Sequence, residues 1–374
     1  MKFIVCPDSF KGSLTSQEAC NIIGDAIVQN NPNAEIIRIP LSDGGEGFCD
    51  IYTKLIGGKI EYVEVLNALG IKTPAKIGIK DNLAVIESAE ACGLAQIQHL
   101  IHNPMLTTSY GVGQLIKYAL DKQCNKIILG LGGSATNDCG IGMLSALGIK
   151  FYNEDSCIIN MPIGQDLGCI SKVDFTTLDN RLYEVEIVVA SDVKNQLLGI
   201  NGATHVFARQ KGASDDDVTQ LEKFMQKYVN YLSRDHKIDL NNIVGGGAAG
   251  GLGASLVGIL NATMTSGIDL ILSTVKFDDL LSDCDYVISG EGKVDSQTLN
   301  GKVISGIANY SKHKNTPLIV LCGTVNDKDI DLLYESGVTA IFPIVRGTSS
   351  LSDAIDQAKD NLRYTVNNVV RLIL

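Results

Sequence analysis

Five loops of this chain place an acidic residue just after a short apolar run. Asp8 follows 2–6, Asp43 follows 35–39, Asp138 ends the loop after 126–129, Asp192 follows 185–190, and Glu291 and Asp295 follow 286–289. In an open parallel sheet, ligands bind beyond the carboxyl ends of the strands, where loops and helix N-termini converge. One Asp in such a place can simply cap a helix. Several together, in Gly-rich surroundings, suit a divalent metal and proton transfer. Basic residues share these loops: Lys11, Lys211 in Arg209-Gln210-Lys211-Gly212, Lys293 and Arg346. Phosphoryl transfer requires both kinds of group, because charge must be neutralised while the reacting oxygens are held in line.

Two glycine-rich loops could hold an anion through backbone N–H groups and helix ends: Gly132-Gly133-Ser134-Ala135-Thr136-Asn137, and residues 245–253, where six of nine are Gly. The competing reading of such glycines is close packing. Because each Gly costs a helix ~1 kcal/mol, the second loop is read as an anion cradle that includes Gly246, Gly247, Gly250 and Gly251. Such local amides matter, since 31 Lys+Arg against 42 Asp+Glu gives a net charge of −11. That balance excludes a nucleic-acid or anionic-membrane partner. There is no G-x-x-x-x-G-K-[ST] and no G-x-S-x-G, so neither a P-loop nor a nucleophile elbow is present. Gly130-x-Gly132-x-x-Ala135 partly fits a dinucleotide fingerprint, with Glu154 and Asp155 where a ribose-binding acid would fall. An NAD(P)-dependent oxidoreductase is therefore the alternative reading.

The elements that must position these residues alternate. Residues 2–6 read as a strand, Thr15-Ser16-Gln17-Glu18 has capping-box spacing, and Ala19, Ile22, Ile23, Ala26 and Ile27 make one apolar helical stripe. The same strand–loop–helix order returns after 285. This predicts an α/β protein with a doubly wound, mostly parallel sheet of Rossmann or flavodoxin-like type. At 374 residues the chain is long enough for about two domains of ~150 residues. Ten scattered cysteines without C-x-x-C or zinc spacing read as free thiols of a reducing cytosol. The opening apolar run is too short for a signal peptide, so the expected location is cytoplasmic. Residues 243–268 carry no charge, but their glycine content argues against a membrane span.

Taken in order, these loops resemble the type I glycerate kinase family. The stretches that carry the resemblance are Pro7-Asp8-Ser9-Phe10-Lys11-Gly12-Ser13-Leu14, Ser42-Asp43-Gly44-Gly45-Glu46-Gly47, Glu87-Ser88-Ala89 with Gly93-Leu94, and Thr108-Ser109-Tyr110-Gly111-Val112-Gly113. They continue with residues 130–138, Ser191-Asp192-Val193, Gln210-Lys211-Gly212-Ala213, residues 245–253, and Gly290-Glu291-Gly292-Lys293-Val294-Asp295-Ser296-Gln297-Thr298. The resemblance implies ATP-dependent phosphorylation of D-glycerate, at the 2-hydroxyl, with Mg²⁺; formation of the 3-phosphate is the alternative product. It also implies a two-domain enzyme, monomeric or homodimeric, that closes over its substrates. The central α/β domain, 67–285, would be inserted between 1–66 and 286–374. Asp8, Lys11, Asp43, Asp192 and Asp295 would be catalytic, with Asp43 and Asp192 the Mg²⁺ candidates. Ser9, Gly44, Gly45, Glu46, the residues Gly132, Gly133, Ser134, Thr136 and Asn137, then Gln210 and Lys211, the 246–251 glycines, Glu291 and Lys293 would bind substrate or phosphate. Lys293 stands where Arg is common in the family, which keeps the charge and loses the bidentate fork. Cys139, beside the proposed phosphate loop, stands where Gly is usual.

Overall fold

Short apolar runs become the inner strands of two sheets, each in its own compact unit. The computed structural model describes all residues except 98, 101, 296, 297, 299–302 and 327–329. One unit comprises Met1–Asp43 and Ser266–Leu374, the other Gly44–Thr265. In the first, β1 (Lys2–Val5), β2 (Glu35–Arg38), β11 (Tyr286–Val294), β12 (Leu318–Val325) and β13 (Val338–Pro343) form one sheet in the order β13-β12-β11-β1-β2. Every pair in it is parallel. Phe3, Ile4 and Val5 are fully buried, as expected for a strand covered on both faces. The helix Ser16–Asn30 lays Ala19, Ile23 and Ile27 against Phe3, Val5 and Ile288, and the helix Ala358–Ile373 adds Leu362, Val366 and Val370. The capping box forms as its spacing predicts: Glu18 N–H donates to Thr15 Oγ1 at 3.2 Å, and Thr15 N–H donates to Glu18 Oε2 at 2.9 Å.

The chain moves outward from β1 to β2, then crosses to the far side of β1 and continues through β11, β12 and β13. Strand order reverses between β1 and β11. In open sheets that reversal leaves a crevice at the carboxyl ends of the two strands.

In the second unit, β3 (Lys59–Leu66), β4 (Lys72–Lys80), β5 (Leu83–Glu87), β6 (Lys126–Gly130), β9 (Glu186–Ala190) and β10 (Thr263–Thr265) form a sheet in the order β10-β9-β6-β5-β4-β3. The run from β10 to β5 is parallel, while β3 and β4 are an antiparallel hairpin continued onto β5. β7 (Lys150–Tyr152) and β8 (Lys172–Asp174) make a separate two-stranded ribbon. The core gathers Ile86, Leu129 and Val189 with Val112, Leu115, Ile116 and Ala119 of the helix Tyr110–Asp121.

The unit borders, 43/44 and 265/266, differ from the expected 66/67 and 285/286. Residues 44–66 belong to the second unit because β3 pairs along its whole length with β4. Residues 266–285 belong to the first, where Ile268 of the helix Gly267–Thr274 packs on Gly306 of the helix Val303–Lys314.

Candidate active site

At the reversal in the first sheet, the loop after β1 lies along β11. Asp8 N–H donates to Gly290 O at 2.8 Å, and Ser9 N–H donates to Asp8 Oδ1 at 2.7 Å. Gly290 and Gly292 permit this approach. A Cβ on Gly290 would stand 3.1 Å from Phe10 Cζ, and one on Gly292 would stand 3.1 Å from Lys11 N. The result is a cavity of about 390 Å³ within the first unit. Asp8, Ser9, Lys11, Asp43, Glu291, Lys293 and Asp295 line it, together with Ile344, Val345, Leu351, Ala354 and Ile355. Glu291 is buried and accepts from Thr298 Oγ1 at 2.7 Å; the same hydroxyl accepts from Asp295 N–H at 3.1 Å. Lys293 Nζ stands 3.1 Å from Asp295 Oδ2.

Asp8 has its pKa raised to about 7. Burial is the largest cause and the negative charge of Asp43 the next; the Ser9 N–H opposes them, Glu291 adds to the rise, and Lys11 opposes it. At neutral pH this carboxyl is poised between acid and base, as a proton-accepting group must be. Seven polar residues named from the sequence therefore share one cavity; Arg346, named with them, does not line it and donates from Nε to Asn361 Oδ1 at 2.7 Å. Ser296 and Gln297 of the same motif lie outside the described residues.

The second unit uses its loops differently. Lys211 is buried, and its Nζ donates to Ser134 Oγ at 3.0 Å and to Thr136 O at 2.8 Å. Burial pushes its pKa down to about 8, against the pull of Cys92 and Asp138. Asn137 Nδ2 donates to Thr204 Oγ1 at 3.1 Å. Thr136 Oγ1 and Asn137 Oδ1 are buried without a hydrogen-bond partner among the described residues. Gly44, at φ 92, lies so close to β9 that a Cβ would stand 2.3 Å from Ala190 O, and Gly132 packs on Gly45. Glu46 and Gln210 are exposed, and Asp192 is half-buried just past β9. The Gly130-x-Gly132-x-x-Ala135 turn is occupied by protein, since Ala135 N–H donates to Cys92 O at 2.8 Å.

The glycines of 245–253 serve packing. The N–H groups of Gly246 and Gly247, expected to cradle an anion, donate to Ile243 O at 3.0 Å and to Asn195 O at 2.9 Å. Gly250 and Gly251 press on the 136–139 turn, where Cβ atoms would stand 2.1 Å from Thr136 O and 2.9 Å from Cys139 Cα. The loop thus supports the Thr136 region through its backbone. Gly250→Ala, at φ 67, should destabilise the protein by roughly 3 kcal/mol or more in urea unfolding. Gly57→Ala, also left-handed at φ 68 but with nothing within 4 Å, should cost only about 1 kcal/mol. Equal losses would refute the packing role. Asp138 is likewise structural: fully buried, it accepts from Ser109, Gly140 and Gly142. Cys139 is buried, with a thiol pushed up to about 12, so it is no reactive thiol.

Comparison with known proteins decides the family. The sequence model of the glycerate kinase family matches residues 3–374. The chain belongs to the glycerate kinase family. It is 39% identical to a glycerate kinase of Haemophilus influenzae over 100% of this chain and 99% of that one. It is 36% identical to the glycerate 2-kinase of Escherichia coli over 99% and 97%. A crystal structure assigned as glycerate kinase 2 from Salmonella typhimurium LT2 superposes with a TM-score of 0.83 at 37% identity, covering 100% of this chain and 98% of that one. This member of the glycerate kinase family is therefore a kinase with a small-molecule substrate. Among the described residues, no helix is long and apolar enough to cross a membrane.

Glu87, part of the family resemblance but assigned no role by it, is a buried acid of this glycerate kinase family member. Glu87, the last residue of β5, accepts from Cys49 N–H at 3.2 Å near the start of the helix Phe48–Leu55. Burial chiefly pushes its pKa up to about 8, against that N–H. The signal was present: a Glu closing the apolar run 83–86 is the same pattern as Asp8 after 2–6.

Proposed function

We propose that this kinase transfers the terminal phosphoryl group of ATP to the 2-hydroxyl of D-glycerate. The observation that carries the reading is the first unit's cavity, where carboxylates and lysines meet at the sheet reversal. The name of the Escherichia coli relative supports the 2-position. Asp8, near pH 7 in its titration, accepts the hydroxyl proton. Lys11 and Lys293 offset charge on the transferring group. In the second unit, Lys211, Ser134, Thr136 and Asn137, with Gln210 beside them, form an anion-binding set of their own, and Asp192 is an acidic group past β9.

The donor set fits Mg²⁺. These are hard oxygen ligands, and the negative charge of Asp43 raises the cost of ionising Asp8, which a divalent cation relieves. Asp43 would hold the cation, with Asp192 the candidate of the second unit. Once bound, it would neutralise charge on the nucleotide phosphates.

A coupled ADP-release assay across small hydroxy acids, followed by NMR of the product, tests the reading. D-glycerate should be the preferred acceptor, with phosphate on C2. Phosphate on C3 would replace the position while keeping the class, and no ADP release with any hydroxy acid would overturn it.

A further inference from the structure

The carboxylates and lysines are not the whole lining of the cavity in the first unit. Ile344, Val345, Leu351, Ala354 and Ile355 give it an aliphatic wall as well. The helix Leu351–Asp356 supplies three of these. It is capped by Ser350, whose Oγ accepts from Asp353 N–H at 3.1 Å, and none of its residues is buried. Leu351 is 79% exposed. A short helix that commits no side chain to the core, yet turns its apolar residues into a polar cavity, leaves that surface for a ligand to cover.

Glycerate cannot be that ligand. Every one of its three carbons carries oxygen, so it gains nothing from an aliphatic wall. The cavity, at about 390 Å³, falls in the range that holds a cofactor-sized ligand. Its lining suits a molecule with a flat, weakly polar ring at one end and, at the other, phosphates that Lys11 and Lys293 attract and whose divalent cation offsets Asp8, Asp43, Glu291 and Asp295. The Lys11-Gly12 turn brings the polar and aliphatic lining together: a Cβ on Gly12 would stand 4.0 Å from Ile355 Cδ1. We infer that this wall is the nucleoside-base subsite, with the base on Leu351, Ala354 and Ile355 and the phosphates running toward Lys11 and Lys293. The first unit therefore holds the nucleotide. This rests on the nucleotide-dependent reading of the site and assigns a place to the base within it.

Two substitutions on the wall test the assignment in the full-length protein. Ala354→Phe fills the slot. Leu351→Asp puts a carboxylate on it at a position so exposed that folding is not at risk. Binding of a fluorescent ADP analogue, measured without glycerate, should weaken about tenfold or more in both variants. Displacement by inorganic tripolyphosphate, which has no base, should be unchanged, and KM should rise for ATP while staying constant for glycerate. Unchanged ADP-analogue affinity in both variants overturns the subsite, as does equal weakening of tripolyphosphate or a rise in the glycerate KM alone. Failure of the functional reading looks different: the wild-type chain would phosphorylate no hydroxy acid, whatever the variants do to ADP binding.

Discussion

Asp8→Asn is expected to leave the protein folded and to lower kcat by about 10²-fold or more. Asparagine keeps the shape of the side chain and can still accept from Ser9 N–H, but it cannot take a proton from a hydroxyl. Stability should not suffer. The folded pKa of about 7 lies above the ordinary 3.8, so the native state holds a proton that the unfolded chain has released. Stability contributed by this group is thus full below about pH 4 and declines as pH rises toward 7. The neutral amide avoids that decline, and the variant's Tm at pH 8 should equal or exceed that of the wild type. Kinetically, kcat/KM of the wild type should rise with pH through about 7 as Asp8 becomes a base. Asp43→Asn removes the neighbouring negative charge and should move that rise to lower pH, because the charge of Asp43 helps to hold the pKa up. Near-normal turnover in Asp8→Asn, or the same pH rise surviving in it, would remove Asp8 from the proton-transfer role.

The sheet elements and the first unit's site were legible because both rest on local patterns. Fully apolar runs such as 3–5 become doubly covered strands, and the residue just past each strand end is fixed in place by the strand itself. Asp8 and Glu291 could be assigned to one crevice for that reason. The unit borders were not legible, since β3 belongs to the second unit through its pairing with β4 and its bonds to Gln114 and Tyr118, and nothing in residues 59–66 marks the change of partner. The loop at 245–253 misled for a related reason. Its glycine content has two explanations, bare amides or close approach, and only the positions of Thr136 O and Cys139 Cα decide for the second. The aliphatic wall is not legible in the sequence, because Leu351 and Ile355, four residues apart, have the spacing of any helical stripe. What sets them apart is that the core does not receive them.

Asp138→Ala should do the opposite of Asp8→Asn, with stability falling steeply and the chemistry of the remaining folded protein little changed. Like Asp8, Asp138 is a carboxylate in a loop past a strand end, and sequence alone does not separate the two. Its surroundings do. Asp138 Oδ2 accepts from Ser109 N–H at 2.8 Å, Ser109 Oγ at 2.8 Å and Gly142 N–H at 3.2 Å, and Oδ1 accepts from Gly140 N–H at 3.0 Å. Those donors lie at the starts of the helices Tyr110–Asp121 and Ile141–Ala146, so one side chain fixes two helix entries. Burial pushes its pKa up while these four bonds pull it back. With both oxygens engaged by the fold, little capacity is left for a metal or a substrate proton. Alanine would strand four buried donors, each costing about 1–3 kcal/mol. Allowing for partial relaxation, a loss of roughly 4 kcal/mol or more follows, or about 10 °C in Tm. Calorimetry alongside kcat per folded molecule separates the outcomes: a kcat loss near 10²-fold at unchanged Tm would return Asp138 to the chemistry. The opposite pairing of effects in the two variants distinguishes a carboxylate held for reaction from one held for architecture.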